Sequence, residues 1–357
     1  MSDQPTVAEA LWAKVPGQAE AVRQLRAAVS MPTHAYLISG PPGAGKRELA
    51  TAFCASLLAR GLDGDEADRV AARVESGDHG GVVVVEREGP FITADDARRV
   101  VERASRSPLE GDLQIIVIID FHLVRDAGPM LLKSIEEPPP RTMFVLLSEE
   151  LPRELETIAS RCVVINVDAV PVDTLLELLV SEGIDDDVAR AAAEVAGGSL
   201  TRARLLARDP KVSHRRDLWY RVPERLNGRG SRAGEVADDL VGSIEDLKAP
   251  LAEMEAEELT ALDARAESMG IDPTKGEINR IKDRYKRTAR RLHTDEMRVG
   301  LGVLVGRYRD EVLSGADPED FLKASDLVQG LCDNLVFNVG DELALQSLLM
   351  SLPPIGQ

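Results

Sequence analysis

Short runs of uninterrupted apolar residues alternate with amphipathic stretches along the first half of the chain. The apolar runs predict five β-strands, at 35–39, 82–85, 113–120, 143–147 and 162–166. The amphipathic stretches between them predict helices at 48–60, 93–106 and 126–136. Strands that are apolar on both faces and separated by helices are typical of a parallel sheet covered on both sides. This half therefore predicts an α/β fold.

The strand signal ends near Pro171, and the rest of the chain is helical by pattern. Two or three short helices are predicted over 172–208, around the turn Gly197-Gly198-Ser199. The change in pattern predicts three domains: α/β at 1–170, a small helical domain at 171–210 and a larger helical domain at 211–357.

Four helical segments are predicted in the last third, with different charges. They are an acidic segment at 240–269, a basic one at 277–292, and two more at 297–313 and 321–350. A loop is predicted at 227–234, which is rich in Gly and Arg. The basic stretch 282–291 would suit either a DNA contact or ion pairs with the acidic segment, and the ion pairs are the stronger expectation.

Composition limits the chemistry of the chain. Hydrophobic residues make up 44% and aromatic residues 3%, so the cores must be aliphatic and stacking platforms for bases are not expected. The formal net charge of -18 disfavours a general affinity for nucleic acid. Cys54, Cys162 and Cys332 form no C-x-x-C pair, which argues against zinc.

The N-terminal residues lack a signal-peptide core and the apolar runs are too short to span a bilayer, so a cytoplasmic location without membrane contact is predicted.

Residues 40–46, Gly-Pro-Pro-Gly-Ala-Gly-Lys, fit the phosphate-binding pattern G-x-x-x-x-G-K between a predicted strand and helix. Gly40, Gly43 and Gly45 would let backbone N–H groups converge on phosphate oxygens, and Lys46 would add a positive charge. The same residues would also form a tight turn without any ligand. The next residue is Arg47, where working ATPases carry the Ser or Thr hydroxyl that holds Mg²⁺.

A second catalytic position is also altered. Asp120 ends an apolar run, as the metal-side aspartate of P-loop ATPases does. These enzymes usually follow it with a glutamate that positions the attacking water, but here Phe121 follows. Because two catalytic positions are missing, we expect little or no hydrolysis, while binding of ATP without hydrolysis stays open.

Four motifs follow one another along the first half of the chain. They are Val15-Pro16-Gly17-Gln18, the P-loop stretch 34–46, Leu-Leu-Lys-Ser-Ile-Glu-Glu-Pro-Pro at 131–139 and Thr-Ile-Ala-Ser-Arg-Cys at 157–162. In type and order this set resembles the sliding-clamp loaders of the AAA+ class. Within that family the altered P-loop favours the bacterial δ′ (delta-prime) subunits of DNA polymerase III. Weaker similarities to the same subunits lie at 282–291, 307–310, 337–340 and 343–345.

This resemblance implies an AAA+ P-loop α/β domain, a small helical lid and an all-α collar that oligomerises. It implies a non-motor subunit of a complex with DNA-directed DNA polymerase activity, which helps ATP-dependent loading of the sliding clamp in replication. The implied direct partners are a motor subunit of the gamma/tau type and the delta subunit. The clamp and primer-template DNA would be reached through the complex.

The resemblance also implies a role for Arg161. The arginine of the Ser160-Arg161-Cys162 box would reach into the neighbouring subunit as a trans arginine finger, with all three residues at the interface. A guanidinium there stabilises charge on the transferred phosphoryl group, although its carrier needs no ATP of its own. The alternative is a surface arginine at the start of a strand.

The chain departs from the family pattern in its metal and sensor positions. Many relatives carry a four-cysteine zinc module after the P-loop helix, where this chain has only Cys54, so no zinc is expected. Ser148 falls near a polar sensor position, and Arg202 is one residue out of register with a sensor arginine. Gly128-Pro129 is predicted to break the helix at 126–136.

Three other functions remain to be distinguished. An active motor subunit of the same loader would need Ser or Thr in place of Arg47 and Glu in place of Phe121. A P-loop kinase for a small molecule would need a substrate pocket and a lid, whereas the second half of this chain is helical. A nucleotide-independent scaffold unrelated to replication would bind no loader subunit.

Overall fold

The structure is a computed structural model that describes residues 6–87, 91–124, 127–149, 155–209, 211–268, 273–335, 341–353 and 355. The chain forms two compact units, residues 1–207 and 208–357. The predicted helical domain at 171–210 lies almost wholly within the first unit, and the three-domain division stays a prediction. Within the described ranges, every helix is too short or too polar to cross a membrane.

A parallel sheet forms the centre of the first unit. Its strands are β1 (Ala35–Ser39), β2 (Val82–Val85), β3 (Gln114–Ile118), β4 (Thr142–Ser148) and β5 (Val163–Asn166). In space they lie in the order β2-β3-β4-β1-β5, and every neighbouring pair is parallel. Each strand lies where an apolar run predicts it, and the predicted parallel sheet is confirmed.

Helices connect these strands and cover the sheet. They are α1 (Val7–Ala13), α2 (Ala19–Ser30), α3 (Lys46–Leu58), α4 (Gly64–Glu75), α5 (Ala94–Ala104), α6 (Gly128–Glu136) and α7 (Glu156–Ala159). The predicted helices at 48–60 and 93–106 agree with α3 and α5 to within two residues. The hydrophobic pattern does not predict α1, α2, α4 or α7.

The two faces of the sheet belong to two separate apolar clusters. In β1, Tyr36 and Ile38 join the cluster of α1 to α4, whereas Ala35 and Leu37 join the cluster of α5 to α7. Successive side chains of a strand point to opposite faces, so a run without polar residues buries both. The expectation of helices on both faces is therefore confirmed.

The start of α5 carries a side-chain cap, and the start of α6 tests the predicted break. Thr93 and Asp96 form a reciprocal capping box at α5, with the Asp96 N–H donating to Thr93 Oγ1 over 3.2 Å. The predicted break at Gly128-Pro129 is wrong. Pro129 lies in the first turn of α6, where a helix has no backbone hydrogen bond to lose.

Three short helices follow the sheet, as predicted: α8 (Val172–Ser181), α9 (Asp186–Val195) and α10 (Leu200–Ala207). The turn between α9 and α10 contains Gly197 and Gly198, both with positive φ. A Cβ on Gly198 would lie 2.5 Å from the Cβ of Ala169. The turn therefore requires glycine for both conformation and space.

The second unit is helical. Its helices are α11 (Val212–Tyr220), α12 (Val222–Arg225), α13 (Gly230–Glu245), α14 (Lys248–Ser268), α15 (Lys275–Leu313), α16 (Pro318–Asn334) and α17 (Asp341–Ser351). The predicted segments 277–292 and 297–313 form one helix of 39 residues. The predicted loop at 227–234 is too long, because α13 begins at Gly230. Residues 337–340 lie outside the described residues.

Charged side chains link several of these helices. Arg215 is buried, with Nη2 2.6 Å from Asp209 Oδ2 and Nε donating to the Ser243 carbonyl over 2.9 Å. On the surface, Arg284 of α15 pairs with Glu258 of α14. This pair confirms at one position the predicted ion pairing between the basic and acidic segments.

The core of the second unit contains one close contact between a helix and an aromatic ring. Trp219 of α11 is fully buried against α15 at Gly300. A Cβ on Gly300 would lie 2.0 Å from Cε2 of the indole ring. Gly302, two residues along, has open space where its Cβ would be.

We predict opposite effects of alanine at these two glycines. Gly300→Ala should lower the free energy of unfolding by about 1–3 kcal/mol, because the methyl group overpacks the Trp219 contact. Gly302→Ala should raise it by about 0.5–1 kcal/mol, because Ala favours a helix over Gly. Urea unfolding followed by tryptophan fluorescence measures both. Equal stabilities of the two variants would contradict the packing.

Candidate nucleotide site and trans-acting arginine

The P-loop lies at the carboxyl end of β1, which pairs with β4 on one side and β5 on the other. β1 ends at Ser39, the loop turns through Gly43 and Gly45 with φ of 72° and 89°, and α3 begins at Lys46. The Gly40 N–H donates to the Ser148 carbonyl over 3.2 Å. A Cβ on Gly40 would lie 2.0 Å from the carbonyl oxygen of Val167, so this position also requires glycine. The predicted strand–loop–helix context is confirmed.

The amine of Lys46 bonds to its own loop. Nζ donates to the carbonyl oxygens of Gly40 and Pro41 over 2.5 and 2.6 Å. In a phosphate-binding loop this amine would contact phosphate oxygens. Here a phosphate would have to displace two hydrogen bonds to carbonyl groups.

Two further contacts hold the P-loop to parts of the first unit that are distant in sequence. The Leu200 N–H, at the start of α10, donates to the Gly43 carbonyl over 3.1 Å. The Gln18 side-chain amide donates to the carbonyls of Ala44 and Asp168 over 3.2 and 2.7 Å. The loop is therefore fastened to the α8–α10 segment and to the chain that follows β5.

Two arginine side chains pair with acidic residues that lie beyond the carboxyl ends of β2 and β3. Arg47 forms an ion pair with Glu86, just after β2. Arg87 Nε donates to Asp120 Oδ2 over 3.1 Å, and the Asp120 carboxylate is largely buried. These guanidinium groups supply the positive charge that a cation would supply and cannot themselves coordinate one. The residues present therefore do not fit Mg²⁺–ATP.

The position after Asp120 belongs to the core. Phe121 is fully buried within the apolar cluster of α5 to α7 and has no contact with solvent. His122 lies beside it, and its Nδ1 accepts a hydrogen bond from the Glu149 N–H over 3.2 Å. Ser148 is buried at the end of β4, opposite Ser39. A carboxylate in place of Phe121 would have to be buried without solvent.

Arg202 lies next to the P-loop contact but does not point a free guanidinium at it. Its backbone N–H donates to Ser199 Oγ over 3.2 Å, and its Nη1 donates to the Val195 carbonyl over 3.0 Å. Arg202 therefore stabilises the turn between α9 and α10. Ser199, in turn, lies close enough to the P-loop to exclude a side chain at Gly43.

Arg161 occupies the turn between α7 and β5. Its Nη1 donates to the Thr157 carbonyl over 2.6 Å and to Ser160 Oγ over 3.2 Å, and its Nε pairs with Glu136 at the end of α6. The side chain is 39% exposed. Burial raises the pKa of the adjacent Cys162 thiol to about 12, so that thiol stays protonated at neutral pH.

Parallel pairing places Arg161 far from the P-loop of its own chain. Val163 lies opposite Tyr36, so Arg161 lies before the start of the paired strands and Gly40 lies beyond their end. The stretch from Tyr36 to Gly40 alone spans about 13 Å at about 3.3 Å per residue. The sheet thus places Gly40, Lys46 and Asp120 on the side where its strands end and leaves Arg161 at the opposite end.

The structure contains no group of three or more metal-ligating side chains within the described residues. Burial raises the pKa of the Cys54 thiol to about 12, which disfavours the thiolate that a zinc ion would need. Four contributors to the site were missed from the sequence: Gln18, Glu86, Arg87 and Leu200. Of these, only Gln18 carries a sequence signal, because it belongs to the Val-Pro-Gly-Gln motif.

The first half of the chain is similar to subunits of DNA polymerase III. Residues 17–171 match the family model described as "DNA polymerase III, delta subunit". DNA polymerase III subunit delta′ of Bacillus subtilis is 28% identical over 204 residues, which cover 56% of this chain and 62% of that protein. Subunit delta′ of Pseudomonas aeruginosa is 32% identical over 209 residues, or 55% of this chain and 60% of that protein.

The chain is also similar to gamma/tau subunits of DNA polymerase III. DNA polymerase III subunit gamma/tau of Mycobacterium bovis is 29% identical over 247 residues, which cover 66% of this chain and 43% of that protein. In these three relatives the match spans 43% to 62% of the other protein's length.

We predict that Gly43 tolerates no side chain. Gly43→Ala should lower the free energy of unfolding by about 2–4 kcal/mol, because it combines a positive φ with a methyl group only 1.8 Å from Ser199 Oγ. Gly61→Ala is the matched control, since Gly61 has a φ of 81° but open space around it. Thermal and urea unfolding compare the two. A loss no larger than that of Gly61→Ala would show that Ser199 is not packed closely against the P-loop.

Proposed function

We propose that this chain, whose residues 17–171 belong to the DNA polymerase III delta-subunit family, is a δ′-type non-motor subunit of a sliding-clamp loader. It helps the ATP-dependent loading of the clamp onto primed DNA without being a motor itself. One observation carries this proposal: the P-loop site does not fit Mg²⁺–ATP, while an exposed arginine lies at the other end of the same sheet.

Arg161 is the trans arginine finger of this proposal. Its guanidinium is too far from the P-loop of its own chain to act there, and it lies on the surface where a neighbouring subunit would have access. Charge that develops on a transferred phosphoryl group is stabilised by such a guanidinium from a second subunit. Ser160 and Cys162 flank it at the proposed interface.

The proposed direct partners are a motor subunit of the gamma/tau type and a delta subunit, with the clamp and primer-template DNA reached through the complex. The helices of the second unit supply the collar that assembles. Leu322 of α16 and Leu343 and Met350 of α17 are exposed in the single chain, and their burial would favour association.

A motor subunit of the same loader is the second candidate, and the similarity to gamma/tau proteins favours it. Against it stand Arg47, Phe121 and the ion pair of Arg87 with Asp120. Measured hydrolysis by the chain separates the two candidates. If nucleotide enters the site, we propose that it is bound without being hydrolysed.

We predict no Mg²⁺-dependent ATP hydrolysis by the isolated chain. Arg47→Thr should not restore it, because Asp120 stays paired with Arg87 and Phe121 stays in the core. A coupled assay for released phosphate, with Lys46→Ala as control for contaminating ATPases, measures the rate. Turnover that Lys46→Ala abolishes would favour the motor subunit.

We predict that Arg161→Ala lowers the DNA- and clamp-stimulated ATPase of a loader reconstituted with this chain. The rate at the neighbouring site should fall about a thousandfold, so that only the other sites contribute to turnover. Arg190→Ala removes another exposed arginine that also forms an ion pair, on α9, and should change nothing.

Size-exclusion chromatography establishes whether each loader assembles. Unchanged turnover in an assembled Arg161→Ala loader would remove the finger role and leave a scaffold. Failure of the unaltered chain to bind any loader subunit would point to a protein outside replication.

A further inference from the structure

The contact between Arg161 and Glu136, which are 25 residues apart, joins two sequence motifs. Glu136 ends α6 within the Glu-Glu-Pro-Pro stretch, and Arg161 lies in the Ser-Arg-Cys box before β5. The carboxylate pairs with Nε of the guanidinium, and both side chains are about one third exposed. An ion pair this exposed adds little to stability, but it restricts the orientation of the guanidinium.

The guanidinium is held through two of its three nitrogens. Nε pairs with Glu136, and Nη1 donates to the Thr157 carbonyl and to Ser160 Oγ. Among the described residues, none accepts a hydrogen bond from Nη2. Three anchors therefore fix the plane of the group while two N–H donors remain for an acceptor outside the chain.

We infer that Glu136 is a positioning residue, which orients Arg161 so that Nη2 faces the phosphoryl group in the neighbouring subunit. This inference rests on the proposed function of Arg161. A long arginine side chain samples many rotamers. When the reaction depends on one placement of the guanidinium, population of the other rotamers lowers the rate. Glu136 removes that freedom before the subunits meet, and it touches no reacting atom itself.

Glu137 provides a matched control. It is the neighbouring glutamate in the same motif, it is exposed, and it forms no ion pair with a described residue. Glu136→Gln keeps the size of the side chain but replaces a charged acceptor by a neutral one, which holds a guanidinium less firmly. Glu136→Asp keeps the charge on a shorter side chain.

The experiment measures kcat and KM for ATP in reconstituted loaders stimulated by clamp and primed DNA. The Arg161-dependent part of kcat is the difference between the unaltered loader and the Arg161→Ala loader. Glu136→Gln should lower this part about tenfold with KM within about twofold, as expected for loss of one charge-assisted contact to the finger. Glu136→Asp should recover part of the rate, and Glu137→Gln should change nothing.

A double variant separates positioning from a structural role. If Glu136 acts through Arg161, adding Glu136→Gln to Arg161→Ala should cause no further fall. An equal fall in both backgrounds, or equal rates for Glu136→Gln and Glu137→Gln, would overturn the inference while leaving the finger role intact. If Arg161→Ala alone changes nothing, the proposed function fails first, and the role of Glu136 fails with it.

Discussion

The parallel pairing of β1 with β4 and β5 is the constraint on which the rest of the first unit depends. β1 is buried on both faces and on both edges, so it cannot shift in register without exposing apolar side chains. Its end therefore fixes where the P-loop begins. The close approach of Gly40 to the Val167 carbonyl follows from this pairing, and it leaves room only for glycine.

The same pairing decides which candidate functional residues lie at the same end of the sheet. The carboxyl ends of parallel strands meet at one edge of the sheet, so the P-loop, Asp120 and Ser148 gather there. The turn before β5 lies at the opposite edge, and Arg161 is held there by Glu136. One chain thus carries a P-loop where its strands end and an exposed arginine at the opposite end of the same sheet.

At the P-loop, charges are neutralised within the chain. Lys46 bonds to loop carbonyls, Arg47 pairs with Glu86, and Asp120 pairs with Arg87. A charge that is already paired gains less from a new partner, because binding must first break the existing contact. The contact of Leu200 with Gly43 adds a direct link to the helices that follow the sheet. In this chain the P-loop therefore connects the end of β1 to the helices that follow the sheet.

The sequence by itself determined the strands, the glycines of the P-loop and the two altered catalytic positions, because these depend on local periodicity and on residue type. It also placed Arg161 in a recognisable motif. It misjudged Pro129 and the loop at 227–234, since the first turn of a helix tolerates residues that break its interior. Only the tertiary structure decided that Arg87 meets Asp120, that Gln18 fastens the P-loop and that Glu136 holds Arg161. These contacts join residues that are distant in sequence. The periodicity of the sequence does not indicate which partner a charged or amide side chain will have, because strand pairing and helix packing bring the partners together.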